Sequence, residues 1–290
     1  MLAIHDVAAP AKLNLFLHVV GRRADGYHLL QSAFMLIDWC DTLHFERRAG
    51  GAISREDLGV PLPADDLTVR AARALQAATG TSHGAHIAID KCIPAEAGLG
   101  GGSSDAASCL LALNRLWDTK LRLPALEAIG LALGADVPFF LRGRNAWVEG
   151  IGERIEPIAL PPGRFVVAKP PAGLQTRRIF DDPGLKRDSD AAIISGFAAN
   201  PYRFGRNDLQ AVASRLCPQV DEALRWLGSQ GLAGRMTGSG SAVFAPLENG
   251  QAGGQAIVAA PVGWQVRECG NMEVHPLWGW ASSDDSSVDG

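Results

Sequence analysis

The feature that most constrains this chain is a run of glycines set between two periodic segments. The run reads Pro94, Ala95, Glu96, Ala97, Gly98, Leu99, Gly100, Gly101, Gly102, Ser103 and Ser104. Before it, residues 86–93 alternate with Ile87, Ile89 and Ile93 on one side, which is the period of a strand. After it, Ala107, Leu110, Leu111, Asn114 and Trp117 recur at helical spacing, with Ser103 or Ser104 available as the cap. Four glycines within residues 98–102 let the backbone take left-handed conformations and approach a ligand closely. The first turn of the following helix presents N–H groups without helical partners, and its dipole favours an anion. A polyphosphate suits that environment; a plain flexible turn is the alternative.

Other phosphate and nucleophile motifs do not explain the run. No Lys follows the glycines, so it is not a P-loop. The residue three after Gly100 is Ser103, which fails the dinucleotide fingerprint, and no G-x-S-x-G elbow occurs. The net charge of −4, with basic residues only in short pairs such as Arg22 and Arg23, excludes a general nucleic-acid or membrane-surface binder. The five cysteines form no CxxC pair, so neither a disulfide framework nor a zinc knuckle is expected. No apolar run reaches the eighteen or so residues of a membrane span, and residues 1–6 lack a signal pattern. A cytoplasmic location is the expectation.

Along the chain, residues 11–20 alternate, with Leu13, Leu15, Leu17 and Val19 on one face and Lys12, Asn14, Phe16 and His18 on the other. This pattern predicts a half-buried strand, and residues 21–27 a turn. A second strand over 34–47, interrupted around 38–41, follows; Asp65 or Asp66 then caps a helix that stops at Gly80. Pro124 and Gly134 bracket a further helix. Glycines and prolines between 150 and 163 predict a domain boundary, dividing the chain into 1–155 and 156–281. The second part predicts a buried strand at 165–168, a long loop with a short helix over 170–190, one or two helices over 208–229, and a glycine turn leading into a strand at 242–245. The Ser/Asp-rich residues 282–290 predict a disordered tail. Strands and helices in this order predict an α+β layer structure.

Three segments together resemble the GHMP kinases. They are Pro10, Ala11, Lys12, Leu13, Asn14 and Leu15; the loop 94–104 with its P-x-x-x-G-L-G-x-x-S-S pattern; and the turn Thr237, Gly238, Ser239, Gly240 and Ser241. Residues 23–30 and 134–140 further resemble the branch of that family acting on a cytidine diphosphate sugar alcohol, and the likeness covers about 7–276. The resemblance implies an N-terminal domain like ribosomal protein S5 domain 2 and a ferredoxin-like C-terminal domain, with the active site between them. It implies ATP as co-substrate, with Mg2+ expected and no residue assignable to the metal. It implies a small-molecule partner, and the expected assembly is a monomer or weak homodimer.

By the same resemblance Lys12 and Asp136 are catalytic, and residues 94–104 with Lys91 bind ATP. Asn14, Tyr27, His28, Thr176 and Phe180 meet the substrate. Residue chemistry agrees in part. Lys12 and Asn14, two apart on a strand, leave the same face roughly 6–7 Å apart along it. Asp136, between Gly134 and Pro138, suits a helix cap as well as a group beside the acceptor hydroxyl. Tyr27, His28 and Phe180 offer aromatic faces and a hydrogen-bonding edge, as a pyrimidine requires. Two positions depart from the family pattern. Glu96 stands where the loop commonly has glycine, and is expected to face solvent; Asp66 stands where an Asn is common near the adenine. Another GHMP kinase, a non-catalytic nucleotide sensor and a plain α+β interaction module are the competing readings.

Overall fold

In a computed structural model describing residues 1–248 and 253–283, the alternation around the first turn builds one long antiparallel hairpin. Its strands are β1 (Ala3–Arg22) and β2 (His28–Arg48). The far edge of β2 is shared. Its second half pairs with β4 (Gly84–Asp90) and its first half with β5 (Ala146–Gly150). β3 (Ile53–Asp57) lies parallel outside β4, and β6 (Arg154–Pro157) antiparallel outside β5. Four helices cover one face: α1 (Leu67–Thr79), α2 (Gly101–Leu116), α3 (Leu123–Leu133) and α4 (Val137–Arg142). Asp66 caps α1 by accepting from Val69 N, and Gly80 ends it in a left-handed conformation.

A second, four-stranded antiparallel sheet follows, in the order β10 (Gln265–Gly270), β7 (Arg164–Lys169), β9 (Val243–Leu247), β8 (Arg235–Met236). One face packs on the hairpin, bringing Phe165, Val167 and Phe244 against Leu13, Leu15 and Met35. The other is covered by α7 (Gln210–Leu216) and α8 (Gln219–Ser229) through Val212, Val220 and Leu227. Short helices α5 (Thr176–Phe180), α6 (Ile194–Ala199) and α9 (Gly254–Val258) fill the connections. This is the α+β architecture expected.

Several details differ from the sequence reading. β1 is buried on both faces rather than half-buried, because the second sheet covers one face and the glycine loop with α2 the other. The predicted break in the second strand is a β-bulge. Pro10 pairs with Cys40 and Ala11 with Ile37, so Asp38 and Trp39 are extra on β2. Across the bulge the faces exchange: Val7 and Ala9 join the helical core, whereas Ala11, Leu13 and Leu15 join the sheet–sheet core. β2 itself starts six residues before the predicted 34, carried by its pairing with β1 down to His28. The strand before the glycines ends at Asp90, where the chain turns so that Cys92 N and Ile93 N donate to Asp41. α2 starts at Gly101 with Gly100, φ +73°, as its cap, so Ser103 and Ser104 lie inside its first turn. Of the predicted tail, Ser282 is held by Leu123 N donating to its carbonyl (3.0 Å), and residues 284–290 lie outside those described.

Asp208, just before α7, ties that segment of the chain to β1. Its buried carboxylate accepts from Val19 N (2.8 Å), Ser189 Oγ (2.6 Å) and Arg206 Nε (2.7 Å). Asp208→Ala orphans a buried backbone N–H and a hydroxyl, and is expected to lower stability by about 3 kcal/mol in urea denaturation.

Candidate active site

The glycine loop and the late glycine turn form one backbone-on-backbone unit. Ser241 N and Ala242 N donate to the carbonyls of Glu96 and Ala97, both at 3.2 Å. Gly98 has φ +73°, and a Cβ there would lie 2.3 Å from the Thr237 carbonyl oxygen, so only glycine fits. The loop is tied to β1 as well: Lys12 N donates to Leu99 O (2.9 Å) and Asn14 N to Thr237 Oγ1 (2.8 Å). Around this unit lies a cavity of about 860 Å³, lined among others by Lys12, Asn14, Gly98, Asp136, Phe180 and Ser239.

Lys12 is buried, with its stem against Gly100 and its Nζ 4.7 Å from the Phe34 ring centre. Its ammonium donates to Asn14 Oδ1 and stands 3.6 Å from Asp136 Oδ2. Asn14 is fixed in turn by donating to Ser32 Oγ (2.9 Å). Burial pulls the Lys12 pKa down, and Asp136 opposes the shift. Asp136 precedes α4, yet its side chain makes no capping hydrogen bond. Its carboxylate is one-third exposed and lines the cavity.

Lys91 also lines the cavity, but it is clamped. Its Nζ donates to Asp41 and to Asp105 Oδ2 (2.5 Å), and the two carboxylates raise its pKa against the opposing effect of burial. Asp41, fully buried, also accepts from Cys92 N (2.6 Å) and Ile93 N (2.7 Å). One carboxylate thus sets both the entry to the loop and, through Lys91 and Asp105, the first turn of α2. Burial pushes Asp105 up. Neither aspartate was singled out from the sequence. Asp41 lies where the alternation of β2 breaks, and Asp105 directly after the serines.

Glu96 has φ +50°, a left-handed conformation, at the position where the family pattern favours glycine. It is exposed, with its carboxylate turned against Gly173, and it also lies on the cavity wall. Asp66, besides capping α1, pairs with Arg55 Nη1 at 2.7 Å on the cavity wall. Pro94, Ala95, Ala97, Leu99, Gly101, Gly102 and Ser103 line the cavity; Ser104 does not, because α2 turns its hydroxyl into the interior, where it has no hydrogen-bond partner among the described residues.

At the other end Thr176 Oγ1 lies 2.7 Å from Ser239 Oγ, linking α5 to the glycine turn. Phe180 stacks on His28, with ring centroids 5.0 Å apart and an angle of 27°. Tyr27 is 61% exposed and makes no ring contact among the described residues. The aromatic faces of Tyr27 and Phe180 are therefore not set opposite each other: two flat faces bury apolar area by closing on each other, and Phe180 does so with His28.

Gly98→Ala is expected to part the loop from the turn, abolishing ATP binding in calorimetry and lowering stability by at least about 2 kcal/mol. Asp41→Asn places an amide among donors and is expected to cost about 3 kcal/mol, whereas Asp105→Asn, which leaves Asp41 to hold the Lys91 ammonium, is expected to cost less. Chemical denaturation of the two variants checks the difference.

The comparisons with known proteins agree in kind. Residues 66–144 match the model of the GHMP kinases N terminal domain, and residues 192–261 that of the GHMP kinases C terminal. The chain is 67% identical over 289 residues to 4-diphosphocytidyl-2-C-methyl-D-erythritol kinase of Albidiferax ferrireducens, with 99% of each chain covered. It is 64% identical to the protein of the same name from Paracidovorax citrulli, covering 98% of this chain and 100% of that one. A crystal structure of 4-(cytidine 5'-diphospho)-2C-methyl-D-erythritol kinase superposes with a TM-score of 0.80 at 35% identity, covering 91% of this chain and 98% of that one. Homoserine kinase from Cytophaga hutchinsonii, at 16% identity and TM-score 0.67 with 94% and 95% covered, shares the fold.

Proposed function

The chain belongs to the 4-diphosphocytidyl-2-C-methyl-D-erythritol kinase family of the GHMP kinases, and we propose how its own residues carry out that family's reaction. The enzyme transfers the γ-phosphoryl group of ATP to the 2-hydroxyl of 4-diphosphocytidyl-2-C-methyl-D-erythritol, giving the 2-phosphate and ADP, a step of non-mevalonate isoprenoid precursor synthesis. The observation that carries our assignment of roles is the Lys12–Asp136 pair beside the glycine loop.

Phosphoryl transfer is mostly a matter of alignment and of positive charge on the moving group. The loop and the first turn of α2 hold the ATP phosphates on backbone N–H groups. Asp136 orients the acceptor hydroxyl and receives its proton. Lys12, kept in place by Asn14 and by the face of Phe34, supplies charge to the transferring group from a buried position where its field is little screened. Phe180 and His28 receive the pyrimidine, with Tyr27 closing over it, and Thr176 holds α5 to the loop side of the cleft.

Magnesium fits here as an ion carried in with ATP. Among the described residues no three His, Cys, Asp or Glu side chains form a metal-binding group, and the side-chain oxygens on the cavity wall include the Asp136 carboxylate and the Ser103 hydroxyl. When bound, the ion would neutralise charge on the β- and γ-phosphates. The division near residues 155–156, with the cleft between the halves, belongs to the same reading. The strands move that division a little later: β6 of the first sheet runs to Pro157 and β7 of the second begins at Arg164, so the change falls between 158 and 163. No helix among the described residues is long and apolar enough to cross a membrane, and Cys40, Cys92, Cys109, Cys217 and Cys269 are all free. We place the enzyme in the cytoplasm, as a monomer or weak homodimer, by its likeness to the family.

Asp136→Asn preserves shape and removes the proton acceptor. It is expected to lower kcat by about 10²–10⁴-fold with ATP affinity unchanged. Turnover of mevalonate or homoserine in place of the cytidyl substrate, or full activity in this variant, would overturn the reading.

A further inference from the structure

The guanidinium of Arg187 makes four donor contacts, three of them inside one small segment. Nη1 donates to Leu185 O (3.0 Å), Nη2 to Phe180 O (3.1 Å) and Asp182 O (2.8 Å), and Nε to His28 Nε2 (2.9 Å). The first three fix the guanidinium to the chain that carries Phe180. The fourth reaches across to the first residue of β2, on the ring against which Phe180 stacks.

A guanidinium only donates, and it keeps its charge at any pH the fold survives. His28 Nε2 must therefore present a lone pair to it. That leaves the imidazole neutral with its proton on Nδ1, which has no hydrogen-bond partner among the described residues. The surrounding charges act in the same sense. Burial, Arg187 and Arg22 all lower the His28 pKa below its ordinary 6.5, and only Asp181 opposes them. The site thus holds a donor of one defined kind, an Nδ1–H, at the edge of the aromatic pair.

On the reading that His28 meets the base at N3, the two common pyrimidines differ at the atom this donor reaches. Cytosine has an acceptor at N3; uracil has a donor there. An N–H fixed toward the ring edge pairs with the first and is left facing another N–H in the second. A site that leaves a hydrogen-bonding group unpaired rejects the wrong ligand far better than one that lacks a methylene.

We propose that Arg187 is the positioning residue that fixes the tautomer of His28, and through it the preference for a cytosine over a uracil base. The inference rests on the reading that His28 meets the pyrimidine of the substrate. Arg187 touches no reacting atom; it acts only through the ring it holds.

Two measurements test it, one with no substrate present. Nitrogen-15 NMR of the imidazoles of the whole protein, with His28 assigned by His28→Gln, is expected to show Nδ1 protonated and Nε2 bare in the wild type. In Arg187→Met the ring is expected to shift to mixed tautomers and its pKa to rise toward about 6.5. Arg187→Lys, which retains a donor and a charge, is expected to restore much of the wild-type signature. In parallel, kcat/KM is measured for the cytidine diphosphate substrate and its uridine diphosphate analogue. The wild type is expected to favour the first, and Arg187→Met to lose roughly tenfold or more of that preference, mostly in KM. A wild-type His28 carrying its proton on Nε2 overturns the proposal, as does an Arg187→Met enzyme that keeps both tautomer and preference. If Arg187→Met does not fold, the wild-type spectrum and Arg187→Lys decide. An assigned tautomer as stated, with both pyrimidines used equally, overturns the specificity claim and locates the failure in the contact between His28 and the base.

Discussion

The outer edge of β1 is the constraint on which the rest of the structure depends. A buried strand paired on one side leaves a row of N–H and C=O groups that must be met. Here the partners come from segments far apart in the chain. Leu99 takes Lys12 N, Thr237 takes Asn14 N, Arg206 takes Leu17 N, Asp208 N meets Leu17 O, and Ser189 N meets Val19 O. The glycine loop, the late glycine turn and the segment before α7 are thereby hung on one strand. Lys12 and Asn14 project from that same strand, so meeting its backbone and assembling the site are one event.

Two lysines of similar burial are put to different uses by what surrounds them. Lys91 shares itself between two carboxylates, which outweigh the penalty of burial and make it a clamp. Lys12 faces a single, partly exposed carboxylate at 3.6 Å, and burial dominates its pKa. The first arrangement holds the loop in shape. The second leaves cationic charge poorly compensated beside the space where phosphate charge is to be placed.

Much of this was legible in the sequence because it is local. The strand, glycines and helix around residues 94–116 follow from periodicity and glycine chemistry; Asp66 and Gly80 bound α1 as their types suggest. The chemistry of Lys12 and Asp136 came from family likeness rather than from spacing. What stayed hidden depends on tertiary partners. Asp41 looked like a break in a strand because its three donors lie fifty residues away. Arg187 sat in a polar stretch with nothing to mark it, since its meaning lies in His28, 159 positions earlier. The second face of β1 read as polar because its cover comes from the glycine loop and the C-terminal half.

The long hairpin of β1 and β2 makes the active site sensitive to arithmetic parity. Along a strand, successive side chains leave opposite faces, so the residues taken up by irregularities decide on which side Lys12 emerges. An odd change in length between the hairpin turn and Asn14 leaves the backbone able to re-pair, yet turns the amine from the phosphate side toward the core between the sheets. An even change returns it. The length of the hairpin is thus as much a catalytic property as the identity of the lysine.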